Sequence, residues 1–370
     1  MNASIGKSLE MLSRRIRPYF SPKYRETFNR MVARGLKEHQ GEPFVVCDFS
    51  NPAIDSVGGR YYAGIILDFI AAGFFPVFTA KRVTLSNFGT GKKLLLLGKR
   101  MGVVQSLDEM CHPYFLFTDR TAPPPALATR VITVDYQYRL AGEAGEIELP
   151  FFVHPKIGAN IHLPKVYRIE ERRQARIFFG GSTRGKSYNK DVISEKYHIL
   201  TRHQMLVAAT GAADHDVYKP REAAEWLSSG KYHPFVMFES QNTKIPWDRW
   251  LDALAKTDFF LACPGVGMPL CHNLIEAMAA GAIPILQYGK YLPQPLEAGI
   301  NSLSFDTESD LCKIVQRVLA MRQEEIRCLR LGVRNYYDKH LAPGRFTKSL
   351  FTGDRARATL LMNAYRVPRK

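Results

Sequence analysis

The chain has 370 residues, of which 46% are hydrophobic and 23% are charged, a balance that excludes an intrinsically disordered protein. This length is sufficient for two or three domains, each with its own core. The formal net charge of +16 indicates anionic partners, which include nucleic acid, an anionic membrane surface and phosphorylated substrates.

The cysteines and the apolar stretches indicate the compartment. None of the six cysteines forms a CxxC pair, and no His/Cys cluster has the spacing of zinc ligands, so we expect reduced thiols and no metal site. The first residues lack the apolar core of a signal peptide, and no stretch reaches the roughly 18 uncharged apolar residues that span a bilayer. We therefore predict a cytoplasmic protein that can associate peripherally with the inner face of a membrane.

Residues 1–41 are predicted to form basic amphipathic helices. Apolar residues such as Leu12 and Ile16 alternate with arginines such as Arg14 and Arg15, and Pro18 and Pro22 divide the segment into two helices. Such helices can lie in the headgroup region of an anionic leaflet. They can equally pack on the protein with a solvated basic face, and the sequence leaves both interpretations open.

Residues 42–160 are predicted to form a first Rossmann-like domain that binds the acceptor. An apolar strand at 44–49, a glycine-containing loop at 50–59, a helix at 61–72 and a strand at 74–79 make a βαβ unit. Further strands are expected at 93–97, 114–118 and 131–134, and a segment rich in Pro, Gly and His at 148–164 is interpreted as the linker.

Residues 161–345 repeat this alternation and are predicted to form a second Rossmann-like domain. Strands are expected at 175–179, 235–238, 259–263 and 283–286, with helices at 192–209, 247–256 and 270–280. Residues 346–370 are predicted to be a C-terminal helix and basic tail. The expected fold is α/β, with two such domains facing each other across a cleft.

A loop with Gly265 and Gly267 joins the strand at 259–263 to the helix at 270–280. Glycines at such a turn let backbone N–H groups approach a phosphate, and the helix dipole favours its negative charge. On this helix, His272, Asn273 and Glu276 share one face, and a carboxylate there can accept both hydroxyls of a ribose. A plain α/β turn with a surface glutamate is the alternative.

This region resembles a known family. Pro-Gly-x-Gly followed by Glu276-Ala-Met-Ala-Ala-Gly-Ala-Ile-Pro-Ile resembles the donor-site signature of GT-B glycosyltransferases, above all of the exostosin-like group. That group typically has Ser and Arg before the glutamate, where this chain has Cys271 and Asn273. A second glutamate, typical of retaining enzymes, is replaced by Met268.

The resemblance implies transfer of a sugar from a nucleotide-sugar donor to a glycan or lipid-linked glycan, without metal or cofactor. The expected acceptor-binding residues are Gly58, Gly59 and Arg60. Of the acidic residues and histidines near strand ends, Asp55 and Asp119 are the first candidates for the catalytic base, ahead of Asp48 and His112, although each is also typical of a cap or turn. The expected donor-binding residues are Gly180, Gly181, Arg184, Lys186, Gly265, Gly267, His272, Asn273, Glu276 and Tyr288.

Three other interpretations remain open. The segment Gly-Gly-Ser-Thr-Arg-Gly-Lys-Ser at 180–187 fits the P-loop pattern of NTPases and kinases, although four polar or aromatic residues at 188–191 delay the helix that should follow. A non-catalytic glycan-binding protein is a second possibility. A nucleic-acid-binding protein is a third, but we expect no nucleic acid because the basic residues form no recognised motif. Trp247 and Trp250 could stack on a base or sugar, but their spacing is more simply that of core residues.

Overall fold

The structure, a computed structural model, describes residues 16, 19–51, 54, 56–89, 91–137, 141–158, 172–184, 192–265, 268–352 and 356–362. The chain divides into two compact units, the first made of Met1–Leu149 with Pro343–Lys370 and the second of Pro150–Ala342. Each unit contains a parallel sheet with helices, which confirms the predicted α/β class with two parallel-sheet domains.

The helices and strands have the following bounds. The strands are β1 Phe44–Asp48, β2 Phe75–Thr79, β3 Gly102–Val104, β4 Tyr114–Thr118, β5 Ala128–Asp135, β6 Glu146–Glu148, β7 Ala175–Gly181, β8 Val217–Tyr218, β9 His233–Glu239, β10 Thr257–Leu261, β11 Ile283–Leu286, β12 Leu303–Ser304 and β13 Arg357–Leu361. The helices are α1 Pro22–Val32, α2 Ser56–Ala71, α3 Arg82–Leu85, α4 Pro155–Gly158, α5 Val192–Tyr197, α6 Arg202–Ala212, α7 Ala223–Ser229, α8 Trp250–Ala255, α9 His272–Ala279, α10 Glu308–Ala320, α11 Gln323–Tyr336 and α12 Arg345–Thr352.

Each sheet contains one point at which the order of its strands reverses. The first sheet has the order β3-β2-β1-β4-β5-β13-β6 and the second β12-β11-β10-β7-β9-β8, and the paired strands are parallel. After β1 and β7 the chain moves to one side of the strand, and it later returns to the other side as β4 and β10. Loops at the carboxyl ends of these strand pairs therefore leave in opposite directions and open a crevice.

The apolar runs of the sequence form the buried strands. All five residues of β1 are buried, and Phe44, Val46, Phe75, Val77 and Leu116 share one hydrophobic cluster on the first sheet. Runs without polar alternation are typical of parallel strands that are covered on both faces, which is why these strands could be predicted from the sequence.

The strand predicted at 93–97 and the helix predicted at 192–209 differ in the structure. The strand expected at 93–97 is a 3-10 helix, Gly91–Leu96, in which Lys93 and Leu96 are buried while Leu94 is 55% exposed, so burial follows a helical period of three. The helix expected at 192–209 is broken, because His198 has a positive φ of 53° and Thr201 caps a new helix in a capping box with Gln204.

The C-terminal segment corrects the predicted domain boundaries. Within the predicted C-terminal tail, the described residues 346–352 and 356–362 are part of the first unit, since α12 belongs to that unit and β13 pairs in parallel with β5 and β6. The buried side chains of Ala358, Leu360 and Leu361 explain this position, because they complete the core of that sheet. The second unit begins at Pro150 rather than at residue 161 and ends at Ala342 rather than at residue 345.

The first of the two predicted N-terminal helices lies mostly outside the described residues. The part that is described includes α1, which has Pro22 in its first turn, as the sequence predicts. Among the described residues of the whole chain, no helix has both the length and the apolar character needed to cross a membrane.

A buried carboxylate fastens α12 to the first unit. Asp68 of α2 is 4% exposed and accepts hydrogen bonds from the Gly344 N–H at 2.6 Å, the Thr347 N–H at 2.9 Å and the Thr347 hydroxyl at 2.5 Å. It thus caps the amino terminus of a helix that is distant in sequence. Gly344 has φ +81°, and a Cβ there would lie 2.7 Å from the Ala72 nitrogen, so the approach requires glycine.

We predict that Asp68→Ala lowers the free energy of unfolding by about 2–4 kcal/mol, because it removes the cap and leaves buried N–H groups without an acceptor. Urea denaturation measures this change. Thr347→Ser, which keeps the hydroxyl but removes one buried methyl group, serves as the control and should lose only about 1 kcal/mol. An unchanged transition midpoint in Asp68→Ala would contradict this role.

Candidate functional site

The crevice at the carboxyl ends of β7 and β10 is the candidate site of the second unit. Ser182–Arg184 follow β7, and Cys263–Gly265 follow β10. Helix α9 begins after the second loop at His272, so its positive dipole end lies at the same edge of the sheet. In open parallel sheets, ligands bind in this kind of crevice.

Arg202 joins the two loops. Its Nη1 donates to the Ser182 carbonyl and its Nη2 to the Pro264 carbonyl, both at 2.9 Å, while the residue is only 7% exposed. A guanidinium charge therefore lies beneath the crevice, where it favours an anionic ligand. Arg202 is not among the residues predicted from the sequence. Its signal there is an arginine directly after the N-cap Thr201, at the start of a largely apolar helix.

The turn after β10 is tight, and α9 is tied to β7. A Cβ on Gly265 would lie 2.6 Å from the Met268 carbonyl oxygen, which explains why glycine is required there. The Asn273 side-chain amide donates to the Gly180 carbonyl at 3.1 Å. The predicted donor residues Gly265 and Asn273 are thus brought to the crevice, whereas Gly267 lies outside the described residues.

Glu276 is buried, contrary to the expectation of a carboxylate open to a ribose. It is 1% exposed, and its two oxygens accept the His154 backbone N–H at 2.9 Å and the Trp250 indole N–H at 2.6 Å. The physical reason is that segment Pro150–Gly158 packs on this face of α9. A ribose could reach Glu276 only if that segment moved.

His272 supports the same segment rather than a ligand. It is 7% exposed, and its Nδ1 lies 2.6 Å from the Phe152 carbonyl oxygen. Its ring also meets the Phe151 ring edge-on at 5.4 Å. Phe151 has φ +62°, which is unusual for a residue other than glycine, so the backbone is strained at this residue near the start of the second unit.

Tyr288 and Cys263, which are buried, lie with the partly exposed Cys271 behind the crevice. Tyr288 has no exposed surface, and its hydroxyl donates to the Cys263 carbonyl at 3.4 Å. The predicted contact of Tyr288 with a donor sugar therefore does not fit its position. Burial raises the pKa of Cys263 to about 12 and also raises the pKa of Cys271 and of Tyr288. These groups are therefore neutral at physiological pH and are not nucleophiles.

The first two glycines of the P-loop pattern are part of a strand. Gly180 and Gly181 are the last residues of β7 and pair with Phe238 and Glu239 of β9, so they do not form a phosphate-binding loop. A Cβ on Gly180 would lie 2.7 Å from the Trp250 ring, which explains this glycine by packing. Arg184 is exposed in the following loop, and Lys186 lies outside the described residues.

The crevice of the first unit holds two aspartates with fixed partners. Asp119 accepts hydrogen bonds from the Ser50 N–H and Asn51 N–H, both at 2.8 Å, and from the Tyr136 hydroxyl at 3.0 Å. Asp48, which is 2% exposed, pairs with Lys81 and with Arg120. Their lone pairs are thus engaged in holding loops, which disfavours the predicted role of Asp119 as a base.

The other residues predicted for the first unit are Asp55, Gly58, Gly59, Arg60 and His112. Asp55 lies outside the described residues. Gly58, Gly59 and Arg60 lie within α2 rather than in a loop. Gly59 has φ +70°, and a Cβ there would lie 2.8 Å from the Lys93 side chain. His112 stacks on Phe44 at the amino end of β1, away from the crevice.

The part of the chain that the structure describes contains no group of three or more His, Cys, Asp or Glu side chains arranged to hold a metal ion.

No protein-family model and no curated protein matches the chain. Solved structures similar to it include GT-B glycosyltransferases. A glycosyltransferase from Rickettsia africae ESF-5 is 10% identical with a TM-score of 0.45, over 84% of this chain and 100% of that one. Anabaena Alr3699/HepE in complex with UDP is 9% identical with a TM-score of 0.42, over 83% and 98%.

A third similar structure, described as a UDP-N-acetylglucosamine 2-epimerase from Listeria monocytogenes, is 11% identical with a TM-score of 0.31, over 86% of this chain and 99% of that one. These likenesses concern the fold, whereas function depends on the residues of the site.

We predict that Glu276→Gln lowers the free energy of unfolding by about 1–3 kcal/mol, because the new amide NH₂ faces one of two buried donors, His154 N–H or Trp250 N–H. Chemical denaturation followed by far-UV circular dichroism measures this change. The control is Glu297→Gln, which alters a carboxylate on an exposed residue. A variant as stable as the wild type would show that Glu276 is not an internal support.

Proposed function

We propose that this protein is a GT-B glycosyltransferase that moves a sugar from a nucleotide-sugar donor to a glycan or lipid-linked glycan, without a metal ion. The observation that carries the proposal is the crevice of the second unit, where two loops held by Arg202 meet the amino terminus of α9. This arrangement suits the diphosphate of a nucleotide-sugar, because a buried guanidinium and a helix dipole both favour its charge.

Transfer breaks the bond between the anomeric carbon and the diphosphate oxygen, and forms a bond to an acceptor hydroxyl, whose proton passes to a base. In our proposal the second unit stabilises the leaving diphosphate through Arg202, Arg184, Lys186 and α9. The first unit binds the acceptor. Because Asp119 and Asp48 are engaged with neighbouring groups, Asp55 is the remaining candidate for the base.

A membrane-associated acceptor is supported by the surface around α1. Tyr19 is 53% exposed and Phe20 is 78% exposed, and the Arg82 guanidinium lies 5.6 Å from the centre of the Tyr19 ring. Exposed aromatic side chains beside cationic ones suit the interface of an anionic leaflet. We therefore propose a cytoplasmic protein that binds peripherally to the inner face of a membrane.

The proposed donor site predicts binding of a nucleoside diphosphate without metal. In a panel of UDP, GDP, dTDP, CMP and ATP, we expect one of the three nucleoside diphosphates to raise the melting temperature most in the absence of Mg²⁺, since a ligand of the native state stabilises it. Arg184→Gln should weaken this binding roughly tenfold or more through loss of a charge-assisted hydrogen bond. Thermal shift and titration calorimetry provide the measurements.

Arg317→Gln, which removes an exposed charge from α10, is the matched control and should bind as the wild type does. A stabilisation by ATP that requires Mg²⁺ and is lost in Lys186→Ala would instead support a P-loop enzyme. Absence of any shift across the panel would refute the proposed donor site and favour a non-catalytic binding protein.

A further inference from the structure

Trp247 lies at the surface next to the candidate site. It belongs to the loop between β9 and α8, at the same carboxyl edge of the sheet as the crevice, and it is 52% exposed. This differs from the core position that its spacing from Trp250 predicts. Of the three tryptophans, Trp226 is fully buried and Trp250 is partly buried, so Trp247 is the one that can meet a ligand directly.

One face of the Trp247 indole is covered by a buried imidazole. The His154 ring stacks on it with centroids 4.6 Å apart and planes inclined by 24°, and His154 is only 2% exposed. Because one face rests on His154, much of the exposed area of Trp247 belongs to the opposite face and the ring edges. A flat aromatic surface is therefore presented to solvent.

The stack is held in place from below. The His154 N–H donates to Glu276 at 2.9 Å, and its Nδ1 accepts the Lys156 N–H at 3.2 Å. The His272 ring meets the His154 ring edge-on at 5.3 Å. Since the lower ring is fixed by α9, the upper ring need not be ordered when a ligand binds, and this preorganisation favours affinity.

We propose that Trp247, backed by His154, is the stacking platform for the planar nucleobase of the donor. This inference rests on the proposed function. Every nucleobase offers an aromatic face, and an indole binds such a face through dispersion and complementary quadrupoles. Glu276 then acts as a positioning residue, because it holds His154 under Trp247 and does not itself touch the ribose.

Titration of intrinsic tryptophan fluorescence tests the platform. Nucleoside diphosphates, inorganic pyrophosphate and methyl glucoside are titrated separately into the wild type, Trp247→Phe and Trp247→Ala. We expect nucleoside diphosphate to quench the wild type. Because both variants lack the reporting indole, their Kd is measured by calorimetry, and it should rise about 5- to 100-fold in Trp247→Ala, with Trp247→Phe in between. Pyrophosphate, which has no ring, should bind the wild type and Trp247→Ala equally, as followed by calorimetry.

Tyr232→Ala is the matched control, because Tyr232 is 44% exposed and flanks the opposite, amino end of β9. It should leave the Kd unchanged. If Trp247→Ala binds nucleoside diphosphate as the wild type does, the platform is refuted while the donor site stands. Equal losses for pyrophosphate and nucleotide, or a response to methyl glucoside alone, would also overturn the assignment. If the wild type binds neither nucleotide nor pyrophosphate, the proposed function fails as well.

Discussion

The parallel pairing of β7 with strands on both sides is the constraint on which the second unit depends. Because β9 and β10 flank β7 and run in the same direction, the loops that follow all three strands emerge at one edge. Arg202 can join two of these loops only because they are neighbours there. The candidate site is thus a consequence of strand order, and its side chains refine a crevice that the topology creates.

Several polar residues that resemble ligand contacts in the sequence act as internal supports in the structure. Glu276, His272 and Asp119 each satisfy buried or loop N–H and C=O groups close to a crevice. Buried polar groups need such partners, and supports of this kind keep the surrounding loops in place. In our proposal these residues act through what they hold, as Glu276 does through the stacked rings of His154 and Trp247, and not by direct contact with a ligand.

Helices and strands could be predicted from the sequence where the local pattern of apolar residues determines the structure. The uninterrupted apolar runs of β1, β7 and β10 are examples. Predictions were wrong where contacts between residues distant in sequence determine the structure. Lys93 is buried beside Gly59, β13 pairs between β5 and β6, and the Trp250 indole donates a hydrogen bond to Glu276. Arg202 could not be predicted for the same reason, because its contacts come from loops that the fold brings to it. For Trp247 the sequence favoured a core position over stacking on a base or sugar, whereas the fold leaves it exposed beside His154.

Hydrogen exchange followed by mass spectrometry, with and without a saturating nucleoside diphosphate, tests the central claim most directly. If the nucleotide binds in the crevice between β7 and β10, protection will increase in peptides that cover 182–184, 263–265 and the first turn of α9, where backbone N–H groups lie closest to the diphosphate. Protection confined to other parts of the chain, or none at a concentration that saturates binding, would contradict the account.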